Sequence, residues 1–522
     1  MSSMETKEIP NYVKNFLQTA VIVDEKAFFS VGPNIKEHSD IKVPGRHNQE
    51  LAEKSYVKID SSSENLDALD TASIINSFLK YGIFCGVISD WSSDYNETIK
   101  KADIVVLDWY LEPNNPDKTL NILKSLKEEL FNQDSLKIIA IYTGNQDFDD
   151  IREKIKRSLN LHTTDEAAIK PDIIFNNGRV NLYAKPGVNL KEEYENRSIE
   201  EEELPMQLVK DFASMTAGLL PGIALTSLAA VRENSFRVLN KFSSELDPAF
   251  LTQRVLISNP DEAEQQMVTH IGEELLCLMG DAVYEEKPAG LAEIVKWLDN
   301  QNQDIFNFGP KKNLNLEETI EMIEIGLDQS KLKNHKRSPT EGFSKEDSQI
   351  LDKKLAWIMN SRAVYNNQHP KLDQGTIISY IESDEEKYLL CIRPSCDCVR
   401  IKLKTDFYFL RLSQSEEKNK RSKIVVSING QVSLFEIDFK KSYWDSFTFS
   451  PDQTLQYVKA ESVKAESDNI SYYFKDTKGK RFSWIGQLKS EYTHRVSQHL
   501  ASTLSRIGAD ESEWLRRQLF VQ

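Results

Sequence analysis

The sequence predicts a multidomain chain that opens with a doubly wound α/β domain on a five-stranded parallel sheet. A mainly helical region, a small antiparallel β domain and terminal helices follow. Three patterns predict this. Over residues 19–188 short apolar, β-branched runs alternate with longer helical or polar stretches, which implies a parallel sheet with helices on both faces. From 205 to about 362 apolar residues recur at three- and four-residue spacing, the helical period. From 375 to 484 the runs turn β-rich and are separated by polar or glycine-containing turns. The patterning suggests domains at 1–190 (with an insertion near 32–65), 191–365, 366–485 and 486–522.

Five runs supply the parallel strands: Ala20 to Val23, Gly82 to Ser89, Ile104 to Leu107, Lys137 to Tyr142 and Val180 to Ala184. Each is short and apolar, as strands buried on both faces tend to be. Asp70 to Tyr81 reads as a helix, with Asp70 as its cap and Ile74, Ile75, Phe78 and Leu79 along one side. The charge run from Lys191 to Glu203 reads as a solvated linker. The apolar stretch Ala217 to Val231 is too short to span a bilayer, which needs ~20 residues, and reads as a buried helix. Asp261 to Tyr284 carries Ala263, Met267, Ile271, Leu275, Leu278 and Ala282 at helical spacing. Further on, TIISYI, YLLCIR, VRIKLK, KIVVSI, VSLFEI, SYYFKD and RFSWIG read as strands, and 488–507 and 511–520 as helices.

Composition narrows the function classes. With 65 Lys and Arg against 81 Asp and Glu, the net charge is −16, which repels phosphate backbones and anionic membranes. Neither nucleic acid nor membrane is expected as a partner. The N-terminus lacks the apolar core of a secretory signal, and five cysteines, three of them clustered, make no disulfide framework. A reducing, cytoplasmic location follows. Oligomeric state is not legible.

In an open parallel sheet ligands bind beyond the carboxyl ends of the strands. The residues there are Asp24 and Glu25 after strand one, Asp108 after strand three, Thr143 after strand four, and Lys185 with Pro186 after strand five. Crowded carboxylates repel one another unless a hard cation such as Mg2+ lies among them. Thr143 can donate a hydrogen bond to a phosphoryl oxygen, and Lys185 can neutralise another.

In this order of residues the sequence resembles the receiver domains of two-component signalling proteins. The resemblance implies that Asp108 is the phosphoacceptor for a histidine kinase, with Thr143 and Lys185 sensing the phosphoryl group. It implies Mg2+ held by Asp24, Glu25, Asp108 and the backbone carbonyl of Tyr110. Such a protein is not an enzyme beyond slow self-dephosphorylation. Two departures stand out: 84 positions separate Asp24 from Asp108, with the surplus in the polar stretch Gly32 to Asn65, and Leu182 stands where receivers carry a switch aromatic, with Tyr183 one place later. A large inserted receiver, a Cys-Asp β-module and an EWLRR-like terminal helix together resemble the receiver-only, phosphate-buffering component of a Detocs-type anti-phage two-component system. That likeness implies a regulator or phosphate sink that meets other defence-system proteins. The alternative is an unphosphorylated pseudo-receiver scaffold that binds partners through its C-terminal domains.

Other chemistries find less support. A haloacid-dehalogenase-type phosphatase needs a second Asp where Tyr110 stands, and a nucleotide fold needs a glycine-rich turn where DEKAFFS follows strand one. Cys391, Cys396 and Cys398 could bind zinc only with a fourth ligand from elsewhere, and buried strand cysteines are the commoner case. His270 could serve phosphotransfer, although a lone helical histidine more often packs or faces water.

Overall fold

The computed structural model describes residues 9–28, 69–132, 136–161, 171–175, 178–257, 260, 262–301, 303, 305–309, 312–330, 338–344, 347–362, 369–415, 423–428, 430–437, 439, 444–464 and 470–504. The proposed insertion at 32–65 and the EWLRR-like segment lie outside the described residues. The chain divides into two compact units, Met1–Asn302 and Gln303–Gln522.

The first unit opens with α1 (Asn11–Phe16), β1 (Thr19–Val23), α2 (Thr71–Leu79), β2 (Phe84–Ile88), α3 (Asn96–Lys101), β3 (Ile104–Leu107), α4 (Asp117–Asn132), β4 (Lys137–Thr143), α5 (Phe148–Ser158), β5 (Ile173–Phe175) and β6 (Gly178–Ala184). The sheet order is β2-β1-β3-β4-β6-β5. Five strands are parallel, as the apolar runs predict. The sixth, β5, is a short antiparallel edge strand paired to β6, which three residues of sequence do not announce.

Each face of the sheet has its own core, because alternate strand residues point to opposite sides. Val105, Leu107, Ile139, Ile141 and Leu182 pack with α4 and α5 on one face. Ile104, Val106, Ile138, Ala140 and Tyr183 pack on the other with α2 and with α6 (Leu204–Met215). Helix α6 therefore completes the second layer, placing Leu204, Leu208, Val209 and Phe212 in that core. Asp70 caps α2 as expected, accepting from the Ala72 and Ser73 amides at 3.0 and 3.4 Å, although Leu79 faces solvent while Ile74 and Phe78 are buried.

The charge run after β6 is not simply solvated. Glu192–Arg197 forms a 3-10 turn in which Tyr194 and Arg197 are buried. The Tyr194 hydroxyl donates to Asp149 at 2.8 Å, and Arg197 meets the buried carboxylate of Asp172 at 3.0 Å. One aromatic and one arginine with a waiting acid anchor a segment whose composition suggests a free linker.

Helices α7 (Leu219–Lys241), α8 (Asp247–Leu256), α9 (Glu262–Glu286) and α10 (Leu291–Asp299) complete the unit. The Arg232 guanidinium ties α7 to the domain, meeting both oxygens of Asp103 at 2.9 and 3.0 Å and the Phe16 carbonyl at 2.9 Å. The apolar stretch 217–231 opens α7 but is buried on one face alone: Leu225 and Ala229 are buried, whereas Leu220 and Leu228 are exposed.

The second unit begins with a hairpin inside the region the periodicity assigned to helices, β7 (Ile305–Asn307) with β8 (Asn313–Asn315). Helices α11 (Leu316–Ile325), α12 (Thr340–Phe343) and α13 (Ser348–Asn360) follow. A nine-stranded antiparallel sheet comes next: β9 (Thr376–Glu382), β10 (Glu385–Cys391), β11 (Thr405–Gln414), β12 (Lys423–Ile428), β13 (Gln431–Ile437), β14 (Asp445–Phe449), β15 (Glu461–Lys464), β16 (Ile470–Lys475) and β17 (Arg481–Gln487). Helix α14 (Ser490–Leu504) covers one face, with Val496 and Leu500 in a core with Ile377, Leu390 and Phe435. VRIKLK is not a strand. Arg400 has φ 58, a left-handed value that breaks extended pairing, and β11 begins only at Thr405.

Candidate functional site

The carboxyl ends of β1, β3, β4 and β6 gather four of the predicted residues: Asp24, Asp108, Thr143 and Lys185 are all nearly inaccessible to solvent. Their placement follows from backbone pairing. The Asp24 amide donates to Ile88 O at 3.1 Å, that of Asp108 to Val23 O at 2.9 Å, and that of Lys185 to Thr143 O at 2.9 Å, so the ladder continues one residue past each strand. The Asp24 carboxylate accepts from the Lys26 amide at 2.8 Å, closing a local turn. The Asp108 carbonyl accepts from the buried Thr119 hydroxyl at 2.9 Å, which clamps the loop after β3 to the first turn of α4.

The Lys185 ammonium lies 2.8 Å from Asp24 Oδ2 and 3.7 Å from Asp108 Oδ2. Two buried carboxylates thus meet one buried cation across three strands. Glu25 sits on the turn beside Asp24, and its carboxylate accepts from Lys118 at 3.0 Å, a lysine that also reaches Glu112 at 3.4 Å. The Tyr110 hydroxyl accepts from Asn145 Nδ2 at 3.0 Å, while the Asn145 amide donates to Thr143 Oγ1 at 3.2 Å, linking the loops after β3 and β4.

The donor chemistry fits a hard divalent cation at Asp24 and Asp108, since oxygen ligands suit Mg2+ and it retains waters in the remaining positions. Glu25 would have to release Lys118 to take part. Among the described residues no group of three or more His, Cys, Asp or Glu side chains is already assembled as a metal-ligand set.

Behind the strand ends lies a second layer that the sequence pattern did not single out. The Tyr183 hydroxyl donates to Asp211 on α6, which also accepts from Asn181 Nδ2 at 2.8 Å and from Gln207 at 3.0 Å. Burial raises the Asp211 carboxyl above its ordinary range, and burial beside Asp211 raises the Tyr183 hydroxyl. The Tyr142 hydroxyl donates to Ile199 O at 2.9 Å. The chain at Ser198 bridges to Ala184, and Glu201 accepts from the Asp70 amide at 3.3 Å. Burial pushes the Glu201 carboxyl up to about 7, with the charges of Asp70 and Asp24 adding to that and Lys185 opposing it. A signal for Asp211 was available: it is a lone acid on the apolar face Leu208, Val209, Phe212.

The class defined by this fold and site is a doubly wound α/β domain with an acid-and-lysine pocket at its strand ends. Residues 16–188 match the family model described as the response receiver domain, about a third of the chain. No curated protein and no solved structure matches. The match and the sheet topology agree on a receiver domain, which supports a response-regulator, phosphoacceptor role for this part of the molecule.

The remaining candidates separate clearly. Cys391 and Cys398 are buried in one core and Cys396 is exposed, so the three thiols do not form a zinc set. Pro394 to Asp397 forms a turn, with a 3-10 segment at Ser395–Asp397. His270 is exposed on α9, 3.2 Å from Glu273. No helix among the described residues is long and apolar enough to cross a membrane.

Proposed function

We propose that the N-terminal domain accepts a phosphoryl group on Asp108 from a histidine kinase and that the protein acts as a cytoplasmic regulator or phosphate sink. The observation that carries this reading is the buried Lys185 ammonium between Asp24 and Asp108 at the end of a receiver-type sheet. In the transfer an Asp108 oxygen attacks phosphorus, the bond from phosphorus to the donor nitrogen breaks, and the imidazole keeps that electron pair. Lys185 is positioned to turn from a carboxylate to the incoming phosphoryl oxygens, and Thr143 to donate to one of them. Magnesium held by Asp24, Asp108 and the Tyr110 carbonyl, with Glu25 beyond, would neutralise the charge that accumulates there. No turnover chemistry is assigned to the chain beyond slow self-dephosphorylation.

The architectural resemblance to phosphate-buffering anti-phage components supports the sink and a defensive setting among other defence-system proteins. Incubation of the full chain with a phosphorylated histidine kinase tests it. Label should move from histidine to this protein in wild type and stay on the kinase with Asp108→Asn. A second reading, an unphosphorylated scaffold working through its C-terminal domains, is favoured by one feature: Leu182 occupies the switch position, and neighbouring Tyr183 is tied to Asp211. Absence of transfer from several kinases and from a small acyl phosphate would establish that second reading.

A further inference from the structure

The second residue of α4, Lys118, reaches back over the strand ends. Its ammonium lies 3.0 Å from Glu25 Oε1 and 3.4 Å from Glu112 Oε1, so one cation joins the loop after β1 to the loop after β3. The backbone on either side of this bridge is fixed. Thr119, the next residue, is buried and donates its hydroxyl to the Asp108 carbonyl at 2.9 Å. Glu112 is held by Asn115, whose Nδ2 donates to Glu112 Oε2 at 3.0 Å and whose amide donates to the Glu112 carbonyl at 3.1 Å. Burial separates this ion pair from the inner one: the Asp24 and Lys185 side chains are 3% and 1% exposed, those of Glu25 and Lys118 28% and 32%. A dissolved ion therefore meets the outer pair first.

We infer that Lys118 is the resident counter-ion of Glu25 and sets how tightly the acidic pocket takes a divalent cation. It gives up Glu25 when the cation enters and turns onto Glu112, its second seat. The inference rests on the phosphoacceptor reading of the pocket and deepens it by naming a residue that tunes metal affinity. Among the described residues the acids at the strand ends are not already assembled as a metal-ligand set, and Glu25 contacts Lys118 instead. Such a half-exposed ion pair is weak enough for a hard dication to break. Glu112 already stands within reach, so the lysine keeps a carboxylate partner after the exchange. With the backbone clamped at Thr119, the exchange needs rotation of the lysine side chain alone.

Mn2+ is the probe, since an all-oxygen site that suits Mg2+ also takes Mn2+, and free Mn2+ is counted by its electron paramagnetic resonance signal. The unphosphorylated full chain is titrated with Mn2+, with Mg2+ as competitor. Lys118→Met should tighten binding roughly three- to tenfold, from an ion pair no longer broken and a Glu25 oxygen freed for the metal. In a Glu25→Gln background the same substitution should change affinity less than about twofold. Glu112→Gln should weaken binding about two- to fivefold with Lys118 present and less than about twofold in Lys118→Met. Circular dichroism of Lys118→Met should match wild type, because the side chain is partly exposed. Equal Mn2+ affinity with and without Lys118 overturns the inference. So does a gain that persists beside Glu25→Gln, which would make Lys118 a distant charge only. Both results leave the phosphoacceptor reading standing, since label transfer to Asp108 is measured separately. Absence of Mg2+-displaceable Mn2+ from wild type and Lys118→Met alike overturns the inference together with the metal site.

Discussion

Replacing Lys185 by Met removes a buried ammonium and leaves two carboxylates facing each other. At an effective dielectric of ~20, charges 2.8 and 3.7 Å apart attract by roughly 6 and 4.5 kcal/mol. Much of that is offset by the desolvation of Lys185 itself, and breaking a buried pair on one side alone typically costs ~3–5 kcal/mol. We therefore expect the first unit to lose about that much local stability. Hydrogen exchange of the full chain reads it strand by strand: amides of β1, β3 and β6 should exchange roughly 150- to 5,000-fold faster at neutral pH. Magnesium should slow exchange more in Lys185→Met than in wild type, since the vacated place between Asp24 and Asp108 suits a cation. Adding Asp24→Asn should cost less than the two single effects together, because it removes the partner at 2.8 Å. An exchange change under ~10-fold, with no magnesium response, would refute the view that Lys185 is the counter-charge of this pocket.

Three further outcomes are expected. Glu201 binds its proton more tightly folded than unfolded, with its carboxyl at about 7 instead of 4.5, so stability should fall as pH rises between those values. Glu201→Gln should flatten that dependence and stabilise the protein at pH 8 by on the order of 1–2 kcal/mol after allowance for partial exposure, as thermal melts across pH would show. Asp211→Ala should cost ~2–4 kcal/mol, because Tyr183 and Asn181 lose their buried acceptor; urea unfolding measures this, and Asp211→Asn should recover part. In the second unit, Gly375→Ala should destabilise by more than ~2 kcal/mol, since φ is +87 and the new Cβ would lie 2.5 Å from Thr493 Oγ1. Unchanged exchange in β9 and α14 would contradict that.

The parallel strands β1, β3, β4 and β6 and the four residues at their ends were legible because each of these strands is buried on both faces and ends abruptly at a polar residue, unlike the edge strand β2, where Phe84 is exposed. β3 illustrates it: four buried residues from Ile104 to Leu107, then Asp108. What escaped depends on contacts distant in sequence. The Tyr183–Asp211 and Asn181–Asp211 bonds join a strand to a helix about 30 residues away, and the seating of Glu201 on the Asp70 amide joins positions 131 apart. Neither leaves a periodic trace. β11 was missed because the apolar, charged alternation of VRIKLK mimics a strand, while the left-handed turn at Arg400 is invisible in composition. Leu220 and Leu228 of α7 were read as buried for a related reason: an apolar residue suggests a covered face, yet single apolar residues are commonly exposed.

Phosphorylation of Asp108 is tested by treating the full chain with Mg2+ and a small acyl phosphate, reducing with borohydride, and mapping the product by mass spectrometry. Homoserine is expected at position 108, formed only with magnesium and absent after Asp108→Asn. Modification at another residue, or none under conditions that label a known receiver, would contradict it.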